Sequence, residues 1–221
     1  RVKKENLSFG HLGTFTKNEV LGRNANVNTV DMVYRPTEDF RLYAILLNSI
    51  VEEKKGYGLR VSIRKQFNQD LSTGVGIYYL DKDLDLNDMG YLMRNDWFMV
   101  GGRTQLQKTD FNKSSKTLVR TYQHSYGCRA LSNGGKEGCF SGFEIKNQFK
   151  NTSQIETEVF FRTNGRDNLI TRGSELAPYV KLPQNYGIDF KYIGQKNKFW
   201  QWDLFAQRSK GSEHSSALGW R

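Results

Sequence analysis

Residues 57–64 read Tyr-Gly-Leu-Arg-Val-Ser-Ile-Arg, an unbroken alternation of apolar side chains with glycine, serine or arginine. A repeat of two residues is the period of a β-strand, because successive side chains of a strand point to opposite faces. One face of this strand carries Tyr57, Leu59, Val61 and Ile63, and the other carries polar or very small residues. The stretch therefore predicts a strand that is apolar on one face and polar on the other.

The same period continues along most of the chain. The regular segments begin at Val75, Phe98, Phe143, Ile155, Tyr186 and Trp200, and less regular ones cover residues 7–16, 27–35, 41–49 and 118–126. Together they make about eleven strands of about ten residues, and a twelfth begins near Ser216. The 221 residues include 21 glycines, 3 prolines and 13% aromatic residues, a composition typical of strands. The sequence predicts an all-β fold built as an antiparallel meander.

The links between the predicted strands alternate in length. Short polar turns are expected at residues 36–39, 68–70, 112–114, 150–152 and 195–197, and longer links at 50–55, 81–96, 129–138 and 163–185. Such alternation places every long link at the same end of the sheet. Tight turns at one end and long loops at the other are typical of outer-membrane β-barrels.

Aromatic residues near the predicted strand ends favour the same architecture. They are Tyr57, Tyr79, Trp97, Tyr186, Trp200 and Trp202. In a membrane barrel, aromatic side chains gather at the water–lipid interfaces, the apolar face of each strand contacts lipid and the polar face lines the lumen. We therefore predict part of a transmembrane barrel in a bacterial outer membrane. Its partners would be lipid and lipopolysaccharide, other outer-membrane or periplasmic proteins, and glycans.

A soluble or surface-attached β-sandwich that binds glycans is the alternative. A sandwich also alternates, because the apolar face of each strand packs against a second sheet. In that fold Trp97, Trp200 and Trp202 would be exposed platforms on which sugars stack.

The charge balance restricts the partners. The formal net charge of +10 suits nucleic acid, anionic lipid or an acidic glycan. Basic and acidic residues interleave along the chain instead of forming one basic tract, so no nucleic-acid partner is expected. The first residues are polar and the chain does not begin with methionine, so the chain is expected to be a mature product or an internal segment.

Charged residues on the polar face of the strands are expected to line a lumen. They are Arg60, Arg64, Arg103, Glu144, Lys146, Glu156, Glu158, Arg162, Asp189 and Lys191. A pair such as Glu156 and Glu158 is also the residue type that glycosidases use. Because Lys146 and Arg162 are expected on the same face, we interpret the pair as part of a ladder of opposite charges. The chain is expected to be non-catalytic.

An acidic stretch follows the strand that begins at Val75. Residues 79–96 read Tyr-Leu-Asp-Lys-Asp-Leu-Asp-Leu-Asn-Asp-Met-Gly-Tyr-Leu-Met-Arg-Asn-Asp. The spacing of Asp81, Asp83 and Asp85 is that of a calcium-binding EF-hand, which needs glycine at its sixth position and glutamate at its twelfth. Leucine stands at both positions here, so an EF-hand is not expected, although a looser calcium site or an enzyme site stays possible.

The favoured interpretation of this stretch is an ordered outer loop. Mutual repulsion among Asp81, Asp83, Asp85, Asp88 and Asp96 requires a cation. Arg94, whose planar guanidinium suits a carboxylate, is expected to pair with Asp88 or Asp96. Met89, Tyr91 and Leu92 would then fold over the barrel mouth.

Two cysteines flank a second long link. Cys128 and Cys139 would face each other on adjacent antiparallel strands, where a disulfide can form in an oxidising compartment. Loop-closure entropy makes such a bond worth about 2–3 kcal/mol. The three histidines lack ligand spacing, so no zinc site is expected.

Two motifs resemble those of a known family. Residues 85–96 contain Asn-Asp-Met-Gly-Tyr followed by Arg-Asn-Asp before Trp97, and residues 26–31 read Asn-Val-Asn-Thr-Val-Asp ahead of Tyr34-Arg35. Both resemble segments of a large uncharacterised bacterial family. Its members carry an N-terminal carbohydrate-binding family 9-like domain and then a long outer-membrane β-barrel region of unknown function. The resemblance implies that residues 1–221 are an interior segment of one larger barrel domain, without a separate soluble domain.

Overall fold

The computed structural model describes residues 2–19, 22–87, 95–131, 135–168, 179–195, 203–210 and 214–220. Within these ranges every regular element is a strand, and no helix is long and apolar enough to cross a bilayer. The strands are β1 (Val2–Lys4), β2 (Leu7–Asn18), β3 (Arg23–Thr37), β4 (Phe40–Val51), β5 (Lys54–Gln66), β6 (Leu71–Leu80), β7 (Trp97–Lys108), β8 (Thr117–Ala130), β9 (Lys136–Phe149), β10 (Gln154–Arg162), β11 (Gly165–Asp167), β12 (Val180–Leu182), β13 (Asn185–Ile193), β14 (Asp203–Lys210) and β15 (His214–Trp220).

Thirteen of these strands form one antiparallel sheet in the order β1 to β10, β13, β14, β15. Each strand pairs with the next sheet strand along the chain, so the predicted all-β antiparallel meander is confirmed. The small β11–β12 hairpin lies within the link from β10 to β13. Sequence analysis missed β1, β11 and β12, since three-residue strands are too short to show a period.

The described sheet is open. No pairing joins β1 to β15 among the described residues, so the sheet does not close into a barrel there. Closure of the sheet into a barrel is therefore a proposal and not an observation.

Strand register divides the sheet into two faces, because directly paired residues of antiparallel neighbours point to the same side. Val61 pairs with Ile77, Ile77 with Val100, and Val100 with Cys128. The face that carries these residues is called the apolar face. Arg60, which pairs with Tyr78, belongs to the opposite side, called the polar face.

Large hydrophobic side chains are exposed along the whole apolar face. They are Val2, Phe9, Phe15, Val30, Tyr34, Leu46, Tyr57, Ile63, Val75, Ile77, Val100, Leu106, Tyr126, Phe143, Val159, Phe161, Tyr186, Ile188 and Phe190. Leu12 is the exposed large hydrophobic residue that the register of β2 puts on the polar face. A soluble sheet normally hides its apolar side, and this one presents it.

The links correct three expectations. The long link predicted at residues 129–138 contains only residues 131–135, and the short turn predicted at 112–114 lies in a longer link, residues 109–116. A long link was predicted at residues 50–55, but Val51 pairs with Lys54 and only Glu52 and Glu53 turn the chain. Glu52 adopts a left-handed conformation, φ 56°, that closes this tight turn. The predicted strict alternation of short and long links is therefore wrong. The two longest links, residues 81–96 and the stretch between β10 and β13, still leave the sheet at the same end, called the loop end.

Candidate functional site

The polar face gathers the charged residues that sequence analysis placed in a lumen. The register puts Arg60, Arg64 and Arg103 on this face in β5 and β7, and the remaining seven on it in β9, β10 and β13. Those seven are Glu144, Lys146, Glu156, Glu158, Arg162, Asp189 and Lys191. Whether the face lines a lumen stays a prediction.

Opposite charges do form a ladder in one row of this face. Lys146, Glu156 and Lys191 are in direct register across β9, β10 and β13. The Lys146 Nζ lies 3.0 Å from the Glu156 carboxylate, and the Lys191 Nζ lies 4.0 Å from its other oxygen. One carboxylate thus sits between two ammonium groups, and the row supports the pairing of these three strands.

The next row contradicts the expected ladder. Glu158 is in direct register with Glu144 on one side and Asp189 on the other, so three carboxylates lie side by side. Gln123 relieves part of this crowding by donating to Glu144 across 3.3 Å. The Glu158 carboxylate also lies over Gly142, where an added Cβ would come within 2.8 Å of it. The sequence showed the alternation of each strand, but not which residues oppose one another.

The acidic row borders a small cavity of about 190 Å³. Glu158, Arg162, Asn185 and Asp189 contribute polar atoms to its lining. Among the described residues, no group of three or more histidine, cysteine, aspartate or glutamate side chains could hold a metal ion. The row therefore carries no metal assignment.

The first part of the acidic loop folds back over the polar face at the loop end. Leu84 is completely buried, and its backbone lies so close to Gly56 of β5 that an added Cβ there would come within 2.2 Å of it. The strands beneath the loop carry five buried side chains on the same face at this end of the sheet: Ala25, Val27, Ser49, Val51 and Leu80. Residues 81–87, with this apolar patch beneath them, are called the cap.

Polar contacts hold the cap in place at Asp85. Its backbone N–H donates to the Ser49 Oγ across 3.0 Å, and its carboxylate accepts from the Arg23 guanidinium across 2.8 Å. Asn87 donates to the other carboxylate oxygen from its backbone across 3.0 Å. One aspartate of the loop thus connects it to the adjacent strands β3 and β4.

Further hydrogen bonds order both ends of the loop. The Asp83 N–H donates to the Asp81 carboxylate across 2.7 Å, and the Asn95 side-chain amide donates to the carbonyls of Lys82 and Leu84 across 2.7 and 3.1 Å. The Asp96 N–H donates to the Asp81 carbonyl across 3.3 Å. These contacts order the described parts of the link, residues 81–87 and 95–96.

The expected pairing of Arg94 cannot be placed, because Asp88, Arg94 and the residues between them lie outside the described residues. Among the described residues, Arg23 is the cation that engages an aspartate of this loop from a distant strand. Sequence analysis missed Arg23, Ser49 and Gly56, since nothing local connects them to the loop. The local signal for the contact is Leu84 itself, an apolar residue between Asp83 and Asp85.

Trp97 is held in a cluster beside the cap. Its indole N–H donates to the Glu137 carboxylate across 2.9 Å, and its ring meets Tyr78 edge-on at 5.4 Å. The Arg129 guanidinium lies 5.5 Å from the ring centres of both Trp97 and Phe140. Trp97 is half-buried and engaged on several sides, unlike the open platform that a glycan-binding sandwich would need. Trp200 and Trp202 lie outside the described residues.

The predicted disulfide is confirmed. Cys128 and Cys139 are directly paired on β8 and β9 and are bonded to each other. Both lie on the apolar face, close to the loop end. The bond closes the link whose described part contains the buried Leu131.

Comparison with protein families provides an assignment for the chain. Residues 6–220 match the family model described as a domain of unknown function, DUF5916. The chain belongs to the DUF5916 family. The match fits the resemblance to an uncharacterised bacterial family and covers the later strands as well as the motif region. No curated protein and no solved structure matches the chain.

In this DUF5916 chain, Asp85 is expected to make the cap sensitive to acid. Burial alone would raise the pKa of Asp85, but hydrogen bonds from Arg23 and Asn87 and the charge of Arg23 outweigh it and lower the pKa below its ordinary value. A carboxyl group whose pKa is lowered in the folded state stabilises the fold at pH values above 3.8, its pKa in the unfolded chain. That stabilisation is lost as the pH falls through the lower pKa of the folded state.

We therefore expect Asp85→Asn to lower the thermal unfolding midpoint at pH 7, by an amount corresponding to about 1 kcal/mol for a half-buried ion pair. The deficit should shrink when both proteins are measured near pH 3. Asp110→Asn, a change at an exposed turn residue, is the control. An Asp85→Asn deficit that stays constant between pH 7 and pH 3 would exclude ionisation as its cause.

Proposed function

We propose that this DUF5916 chain forms part of an integral outer-membrane β-barrel that serves as a non-catalytic conduit or platform. The observation that carries the proposal is the two-sided sheet, with exposed large hydrophobic residues on one face and charged residues on the other. Monomeric soluble proteins rarely expose apolar patches larger than a few hundred Å², and larger patches mark a membrane or a protein partner.

Lipid is the occupant favoured for the apolar face. The hydrophobic residues continue across successive strands from β2 to β13, with Phe15 72%, Leu46 56% and Val159 54% exposed. A sheet whose strands from β2 to β13 each expose hydrophobic residues on this face suits a continuous solvent of hydrocarbon. A single protein partner would be expected to cover one patch.

Strand length fits the thickness of a bilayer. β6 has 10 residues and β7 has 12. At about 3.3 Å per residue and a tilt of about 45°, ten residues cross about 23 Å, close to the apolar band of an outer-membrane barrel.

Aromatic residues lie toward both ends of the apolar face. Tyr57, Tyr79 and Tyr186 lie near the loop end, and Tyr34 and Tyr192 lie toward the opposite end. This arrangement supports interfacial belts, in which a phenol keeps its ring in lipid and its hydroxyl in water. A barrel in lipid also needs every strand edge paired, so the proposal includes partners for the outer edges of β1 and β15.

Membrane fractionation tests the proposal. We expect the protein to sediment with outer membranes, to resist carbonate and high salt, and to require detergent for release. A folded barrel should also migrate differently on gels before and after boiling. Release of a folded monomer by salt alone, with no effect of heating on migration, would contradict the proposal.

A further inference from the structure

We propose that three arginines on the polar face form a binding site for linear oligo-anions. Arg41 of β4 is directly paired with Arg64 of β5, Arg64 with Gly74 of β6, and Gly74 with Arg103 of β7. The three guanidinium groups therefore belong to one row across four adjacent strands, called the arginine row. All three side chains are exposed.

The arginine row has no carboxylate partner among the described residues. Some cations elsewhere in the described structure do have one: Arg23 pairs with Asp85, Lys65 with Asp39, and Lys146 with Glu156. Arg60, one row away on β5, lies over the ring of Tyr43 at 5.7 Å. Like charges directly opposite each other weaken a sheet, so the pairing of Arg41 with Arg64 is unfavourable unless an anion lies between them.

The surroundings of the row leave room for a ligand. Gly74 has no side chain between Arg64 and Arg103, and an added Cβ there would make only an ordinary contact of 3.4 Å. Next to Arg41 lies a cavity of about 800 Å³ that Arg35 and Tyr43 also line. Glu5 and Glu38 line the same cavity, but neither forms an ion pair with Arg41.

The spacing of the row defines the ligand class. Neighbouring strands lie about 4.8 Å apart, so Arg41 and Arg64 are about 5 Å apart at the backbone and Arg64 and Arg103 about 10 Å apart. A planar guanidinium binds carboxylate, sulfate or phosphate through two parallel hydrogen bonds. A linear molecule with two or three such groups along its length can engage the row. Glu144, Glu158 and Asp189 on the other half of the face repel the same ligand and confine it to β4–β7.

The test is calorimetric titration of the purified protein at low salt, in detergent if detergent is needed to extract it. Tripolyphosphate and tri-galacturonate are the anionic probes, and maltotriose is the neutral one. The triple variant R41Q/R64Q/R103Q should bind an anionic probe at least about tenfold more weakly than wild type, because charge-assisted bidentate contacts are lost. The single variant R64Q should lose part of the affinity.

A matched variant, K55Q/K113Q/R166Q, removes the same charge at exposed sites outside the row and should bind within about twofold of wild type. Whichever anionic probe binds more tightly identifies phosphate or carboxylate as the preferred group. Unchanged binding in the arginine variants, or an equal loss in the matched variant, would overturn the site. Since binding is measured on isolated protein, its failure is distinct from a failure of the membrane proposal.

Discussion

Placing two arginines on the apolar face of β7 is expected to abolish membrane assembly of the protein. Val100 and Leu106 lie on this face and are 43% and 44% exposed. If the face contacts lipid, each arginine costs up to about 2–4 kcal/mol, depending on its depth in the bilayer. Together the two arginines would remove much of the free energy of unfolding of a typical domain, which is about 5–15 kcal/mol. The V100R/L106R variant should be absent from the detergent-extracted outer-membrane fraction.

The same strand supplies the control. Gln105 and Gln107 point to the polar face of β7, so Q105R/Q107R adds the same two charges on the side proposed to be wet. This variant should assemble and show heat-dependent migration like wild type. If both variants assemble equally well, the apolar face does not contact lipid, and the functional proposal is wrong.

Filling the space at Gly56 is expected to open the cap. An added Cβ would come within 2.2 Å of the Leu84 backbone and 2.4 Å of Asp83, so the loop must move away from β5. Overpacking of this kind costs about 1–3 kcal/mol, and the cost should fall on the loop because the strand is held on both sides. Trypsin cleavage after the exposed Lys82 should become about tenfold faster in Gly56→Ala. Cleavage rates in the folded protein report that local opening.

Gly74→Ala is the matched control, since it adds the same methyl group to the same face where the nearest atom lies 3.4 Å away. Its cleavage rate should equal that of wild type. Leu84→Ala should also accelerate cleavage, because it removes the buried side chain that anchors the cap. Equal cleavage of all three variants and wild type would mean that these contacts do not hold the loop down.

The face of each strand could be predicted from the sequence because alternation records burial directly. Val61 and Arg60 lie on the expected opposite sides, and the cysteine pair was predicted because a hairpin brings its two strands side by side. Both inferences use information within one strand or one hairpin. The residues expected in a lumen could be placed on one face for the same reason.

Two kinds of contact could not be predicted: those set by the exact pairing register of neighbouring strands, and those made where a loop folds back onto the sheet. Glu158 was expected in a ladder of opposite charges, but a shift of two residues in register decides whether it meets lysine or another acid. The short turn at Glu52 was missed because polar residues of a strand end resemble those of a loop. Arg23 and Ser49 bind the cap across 62 and 36 residues, a separation that no local pattern encodes.

The meander has a consequence for how such a sheet changes in size. Every partner of a strand in the large sheet is its neighbour in that sheet along the chain, so the register of one hairpin does not depend on any distant pairing. Duplication or loss of a whole hairpin, such as β8 with β9, leaves each later strand running in its original direction with its loops at the original end. Gain or loss of a single strand would reverse all of them. The architecture therefore favours evolution in steps of two strands, which changes the width of the sheet while the identity of its two ends is kept.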